Sequence, residues 1–216
     1  VTATGGTAGS GESSGIYAVT LPQFGELKVL IQDATVTATG MACTSGISSG
    51  IFAESEGSEG VDVQVAIEDS IVTATGGTAG TGSYGILAET TGTEKSAEVT
   101  IDGNSVVRLN TTGDHAETIH GTTVNRNSGI VFENGEGTVY GTVTLQEDLT
   151  VAAGETLTIP EDATLTIPDG VTLTNSGDIT NEGTITNNGT LNIEQGGTLT
   201  GEVTGNPVVC TVTVQT

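Results

Sequence analysis

The pentapeptide Val-Thr-Ala-Thr-Gly occurs three times, at Val1–Gly5, Val36–Gly40 and Val72–Gly76, with starts 35 and 36 residues apart. A second string keeps step with it: Ser14-Gly15-Ile16-Tyr17-Ala18, Ser49-Gly50-Ile51-Phe52-Ala53 and Tyr84-Gly85-Ile86-Leu87-Ala88. Repeats at this spacing mean that one supersecondary unit is stacked on copies of itself, which makes a solenoid. Period-two alternation within Val-Thr-Ala-Thr places Val and Ala on one face and both Thr on the other. The same rule puts Ile16 and Ala18 inside and Tyr17 outside.

Each repeat offers three strand-like pieces joined by polar or Gly-rich links. In the first these are Val1–Thr4, Gly15–Thr20 and Leu27–Ile31. The chain is therefore expected to be all-β, a single-stranded parallel β-helix with three faces and about seven coils. A right-handed coil is expected, although the 6-residue steps after Leu173 would also suit a left-handed one. In a fourth coil Val106–Asn110 stands in for Val-Thr-Ala-Thr. Asn127–Val131 is read as its Ser-Gly-Ile piece, which makes Thr111–Arg126 an irregular insertion. Further on, Leu149, Leu157, Leu165, Leu173, Ile179, Ile185, Leu191 and Leu199 mark a shorter rhythm, implying coils of roughly 18–24 residues. Asn175, Asn181, Asn187 and Asn188 are expected near tight turns, bonding to Asn in the next coil. One domain over 1–216 is expected, with wide coils over 1–144, narrow coils over 145–205 and a closing strand over 206–216.

Charge narrows the partners. Twenty-seven acidic residues face only Lys28, Lys95, Arg108 and Arg126, a net charge of −23. A protein that neutralises phosphates needs a basic stripe, so nucleic acid is not an expected partner. Anionic membranes are disfavoured for the same reason, and no run is apolar enough to span a bilayer. The acids are scattered, as on a solvated and self-repelling surface, and none of their clusters has the spacing of a Ca²⁺ loop. No metal or other cofactor is expected, and the chain is expected to be a monomer. Cys43 and Cys210 lie far apart along the stacking axis and read as free thiols.

The segment Gly154–Gly201 runs Leu-Thr-Ile-Pro-Glu-Asp-Ala-Thr-Leu-Thr-Ile-Pro-Asp-Gly into Asn-Ser-Gly, Asn-Glu-Gly and Asn-Asn-Gly. With the Val-Thr-Ala-Thr-Gly-Gly and Ser-Gly-Ile-Tyr-Ala units, it resembles the repeats of large adhesin-like surface proteins of gut Gram-positive bacteria. Some of those relatives are labelled carbohydrate-binding. The resemblance implies a β-helical, secreted or wall-attached protein, extracellular in setting, with a polysaccharide or a host or matrix protein as partner. It carries over no catalytic residue. Val1 opens in the middle of a repeat, which suggests a piece of a longer chain.

Two groups of residues are candidate ligand contacts. Tyr17, Phe52 and Leu87 hold equivalent positions in successive coils and should form an outward ladder on which a sugar ring or a protein could rest. The links Gly5–Ser14, Gly40–Ser48 and Gly76–Ser83 could instead fold over and cover it. The second group is Arg108, Asp114, His115, Glu117, His120 and Arg126, which holds both histidines and half the basic residues of the chain. Cleavage of acidic polysaccharides needs a base beside a uronate or a pair of acids. A widened coil carrying a polar, solvated loop accounts for the same residues without chemistry, and the chain is read as not an enzyme. The Thr2/Thr4, Thr37/Thr39 and Thr73/Thr75 pairs make a small outward array of the kind that ice-binding β-helices carry. A wet strand face also favours Thr.

Overall fold

The computed structural model describes residues 1–9, 11–20, 25–57, 59–113 and 115–211. The chain is all-β, a parallel β-helix, and it divides into two compact units, Val1–Asn127 and Ser128–Thr216.

The first unit has four coils of three strands. They are β1 (Thr2–Thr4), β2 (Ser13–Thr20) and β3 (Glu26–Gln32); β4 (Thr35–Thr39), β5 (Ile47–Ser55) and β6 (Asp62–Glu68); β7 (Ile71–Thr75), β8 (Gly82–Thr90) and β9 (Ala97–Asp102); and β10 (Val106–Asn110), β11 (Ala116–His120) and β12 (Thr123–Arg126). Corresponding strands pair in parallel to make three faces, β1-β4-β7-β10, β2-β5-β8-β11 and β3-β6-β9-β12. On the first face Thr37 pairs with Thr73 and Ala38 with Ala74, so like residues stack in ladders. Val36, Ala38, Val72, Ala74, Val107 and Leu109 are buried and the intervening threonines turn outward, as the alternation requires.

The second face is built differently. In β5 every residue from Ser48 to Ala53 is buried, so both sides of the strand are covered. One side faces the interior of the coil, where Gly50 leaves no room for a side chain. A Cβ there would lie 2.6 Å from the amide nitrogen of Thr75 and 2.8 Å from Ala74 backbone carbon, which is why Ser-Gly-Ile rather than Ser-Ala-Ile repeats. The layer on the other side comes from the links, which stack through isolated bridges Ala8↔Cys43 and Cys43↔Ala79. Buried serines tie link to strand. Ser48 Oγ donates to Met41 O and accepts from Gly77 N, both at 2.8 Å, and Ser13 Oγ makes the same pair of bonds to Gly6 O and Met41 N.

The described residues of 111–126 are not an insertion. Ile119 pairs with Ile86 and His120 with Leu87, so β11, not Asn127–Val131, supplies the second face of the fourth coil. Val124 pairs with Val99, so β12 supplies the third. The step from Val99 to Val124 is 25 residues where that from Val65 to Val99 is 34, chiefly because β11 has 5 residues where β8 has 9 and only residues 121–122 join β11 to β12. The fourth coil is thus shorter than its neighbours. Its divergent sequence hides a regular rung.

The second unit opens with a hairpin of β13 (Gly129–Glu133) and β14 (Glu136–Tyr140), antiparallel across Asn134 and Gly135. Both turn residues have positive φ, 52° and 90°, as a two-residue hairpin turn demands. From β14 onward three strands make each coil. After β15 (Thr142–Thr144) and β16 (Leu149–Val151) come β17 (Thr156–Ile159), β18 (Thr164–Ile167) and β19 (Thr172–Asn175). The next are β20 (Asp178–Asn181), β21 (Thr184–Asn187) and β22 (Thr190–Ile193), then β23 (Thr198–Thr200), β24 (Val203–Gly205) and β25 (Val209–Cys210). The narrow rhythm therefore begins at Glu136, earlier than residue 145; Val209–Cys210 is the last described rung of the third face, and the rest of the expected closing strand, residues 212–216, lies outside the described residues.

The spaced Leu and Ile positions sort onto the three faces as the rhythm implies. Leu149, Leu173 and Leu191 form one ladder, Leu157, Ile179 and Leu199 the next, and Leu165 and Ile185 the third. The partner spacing shrinks from 24 residues (Leu149 to Leu173) to 18 (Leu173 to Leu191). In the narrower coil Asn175, Asn181 and Asn187 replace Val151, Ile159 and Ile167. All three are buried, and each Nδ2 donates to a backbone carbonyl of the following coil, at Thr198, Glu202 and Asn206. The expected bond to the next coil is present, but it goes to main chain rather than from Asn side chain to Asn side chain. A Gly two residues on completes each tight corner, since a Cβ on Gly183 would collide with the carbonyl oxygens of Pro160 and Ala163.

Candidate functional site

The Tyr17–Phe52–Leu87 ladder exists in the expected register and gains a fourth member, His120. Only its ends reach solvent. Tyr17 is 56% exposed, whereas Phe52 and Leu87 are each 1% exposed. Phe52 and Leu87 are therefore core residues and are withdrawn as ligand contacts. Tyr17 stacks on Phe52 with ring centroids 5.1 Å apart and an interplanar angle of 11°. Its neighbours Ile16 and Ala18 are also partly exposed, although Ile51 and Ala53 are fully buried in the next coil. Because β2 is an edge strand of its sheet, the exposure of Tyr17 reflects position rather than a pocket.

Carboxylates gather at that edge. Burial raises the pKa of the Tyr17 hydroxyl, with a hydrogen bond to Glu12 and the charges of Glu12, Glu54 and Glu56 adding to it. Glu54 pairs in register with Glu89, and its own pKa is raised by partial burial first and then by Glu56, Glu89 and Glu12. Like charges stacked in adjacent strands oppose one another. Sequence reading missed this cluster because Glu12, Glu54 and Glu89 come from three different coils.

The second candidate group is dispersed. Arg108 lies on the first face, in register with Thr73. His115 is exposed just ahead of β11, and His120 and Arg126 fall on the second and third faces. Asp114 lies outside the described residues. Within the group Glu117 Oε2 meets His120 Nδ1 at 2.9 Å, with both side chains about half exposed. Tyr84, which the sequence reading did not single out as a contact, sets its ring edge-on to His120 at 5.6 Å. Partial burial, and then the charges of Glu117 and Glu89, raise the pKa of its hydroxyl. A carboxylate orienting an imidazole can serve a general base, but the two arginines, Arg108 and Arg126, sit on other faces.

Among the described residues, no group of three or more His, Cys, Asp or Glu side chains could hold a metal ion. Both cysteines are free, Cys43 buried and Cys210 exposed. Searches against protein-family models, curated proteins and solved structures gave no match.

Proposed function

We propose that this chain is a non-enzymatic, adhesin-like segment of an extracellular or wall-attached protein, a stiff support that presents side chains to a host or matrix partner. The observation that carries the reading is the fate of the most reactive side chains. Arg108, His120 and Arg126 are rungs on three separate faces of one coil, not a constellation around a common point. Ladder upon ladder of hydrogen-bonded, interlocked side chains suits a protein whose task is to hold a shape. The resemblance of its repeats to those of bacterial surface proteins points the same way.

Carbohydrate binding is the second reading, and the partly exposed Tyr17 ring favours it, because a ring held by stacking on Phe52 loses little freedom when a sugar packs on it. The test is binding of the purified chain to a glycan array and to immobilised matrix proteins, beside a cleavage assay on polygalacturonate and similar polymers. The adhesive reading expects retention without cleavage. Turnover of any polymer, reduced by Arg126→Ala or His120→Ala, would replace it with an enzymatic one.

A further inference from the structure

We propose that the adhesive surface is the threonine face formed by β15, β18, β21 and β24, and that its partner is an uncharged polysaccharide. The proposal rests on the adhesive reading above and names its contact surface and ligand class. On this face Thr142, Thr164 and Thr184 form one row, and Thr144, Thr166, Thr186 and Thr204 a second. Between the rows Val143, Leu165 and Ile185 are buried, which turns the threonines outward. Strand spacing and pleat set a grid of about 4.8 Å by about 6.7 Å.

The other faces of the described residues do not keep such a grid. In the face containing β14, Glu136 and Asp178 alternate with Thr156 and Thr198. In the face containing β16 the row Thr150, Thr174 continues as Asn192 and Val209. The array of the first unit gives way to Arg108 and Asn110.

Charge selects the partner. The two rows carry no ionisable group, yet exposed carboxylates flank the strands in sequence on both sides. Glu161, Asp162, Glu182 and Glu202 precede β18, β21 and β24, and Glu147 and Asp169 follow β15 and β18. Carboxylates accept hydrogen bonds and hydroxyls both donate and accept, so the strip fits a polymer that offers many O–H donors. The threonine methyls give its C–H surfaces an apolar footing. A polyanion would be repelled by the rims and by the net charge of −23. A polycation would match the rims and leave the hydroxyl rows unused. A second copy of the chain would bring rim against rim, over about 150–200 Å² per partner from the strand spacings, where stable dimers bury about 800 Å².

The experiment is depletion of the 216-residue chain by insoluble cellulose, chitin, β-1,3-glucan and starch, with cross-linked polygalacturonate as the charged comparison. Thr166→Asp places a charge at the centre of the face, and Thr73→Asp does the same on the first unit. At least one neutral polymer should retain the chain, with retention falling at least tenfold in Thr166→Asp and unchanged in Thr73→Asp. Thr166→Val, which keeps the methyl and the strand preference, serves if the aspartate variant fails to fold. Retention that survives both Thr166 variants overturns the proposal, as does retention on polygalacturonate alone. Binding to matrix proteins without binding to any neutral polymer sinks this proposal and spares the adhesive reading; binding to nothing sinks both. Thermal hysteresis abolished by Thr166→Asp would assign the face to ordered water instead.

Discussion

The two units solve one problem, closing a coil around an apolar interior, with different materials. In the first, small residues line the interior: Ala38, Ala74, Ala53 and Ala88 are buried and Gly50 lies against the backbone of Ala74 and Thr75, while the links stack on one another as an added layer tied to the second face by buried serines. In the second, from β14 onward the threefold ladders of Leu and Ile fill the coil, and only the opening strand β13 is buried on both sides among the described residues. The difference shows that perimeter alone does not decide core size. A 35-residue coil spends its extra length on an outer layer, and an 18-residue coil replaces corner Ile and Val with Asn that bonds to the next turn.

Substitutions can break that contrast. The largest effects should come from the packed side chains. Phe52→Ala in the first unit and Leu165→Ala in the second should each cost about 2–5 kcal/mol, because each removes a side chain at most 1% exposed. Urea unfolding read with amide exchange should localise each loss to its own unit, and equal loss of protection across both units would show that they do not unfold separately.

Next comes the layer of links. Ser48→Ala strands Gly77 N and Met41 O without their hydroxyl partner, at about 1–3 kcal/mol. If exchange of the residue 40–48 link does not quicken, the link is held by something other than this serine. In the narrow unit, Asn175→Ala removes the bond to Thr198 O and the acceptor for Gly177 N, and should cost about 1–2 kcal/mol.

The smallest effect concerns charge. Glu54 has a raised folded-state pKa, so the folded state favours its protonated form. Its contribution to stability is present at low pH and is lost as pH rises through the folded pKa. Glu54→Gln should therefore raise stability by about 0.2–1 kcal/mol at neutral pH and leave it unchanged in acid. Melting temperature against pH tests this; a benefit confined to acid would reverse the assignment. Asp62 behaves oppositely. Its pKa is lowered chiefly by the Ser96 backbone amide, so its contribution is present above the unfolded pKa and fades as pH falls through the folded one.

Much of the fold was legible because like stacks on like. A strand residue in one coil lies beside its counterpart in the next, so a repeat in sequence is a ladder in space, and Val36 over Val72 needed no structure to be read. The fourth coil was illegible for the same reason. Ala116–His120 shares almost no side chains with Gly82–Thr90, and its pairing rests on backbone hydrogen bonds, which do not record residue identity. Taking Gly129 as the counterpart of Gly85 turned a regular rung into an apparent loop, and it gathered Arg108, His120 and Arg126 into a site that the three faces pull apart.

By itself, the sequence determined a three-faced stacked β-coil, the inward Val, Ala, Leu and Ile positions, and a change to narrower coils in the second half, because side-chain period and repeat length are local properties of the chain. Only the tertiary structure decided that Phe52 and Leu87 are buried, that Ala116–His120 and Thr123–Arg126 are strands, and which threonine face stays free of charge. Those outcomes depend on which segments far apart in sequence come to lie against one another.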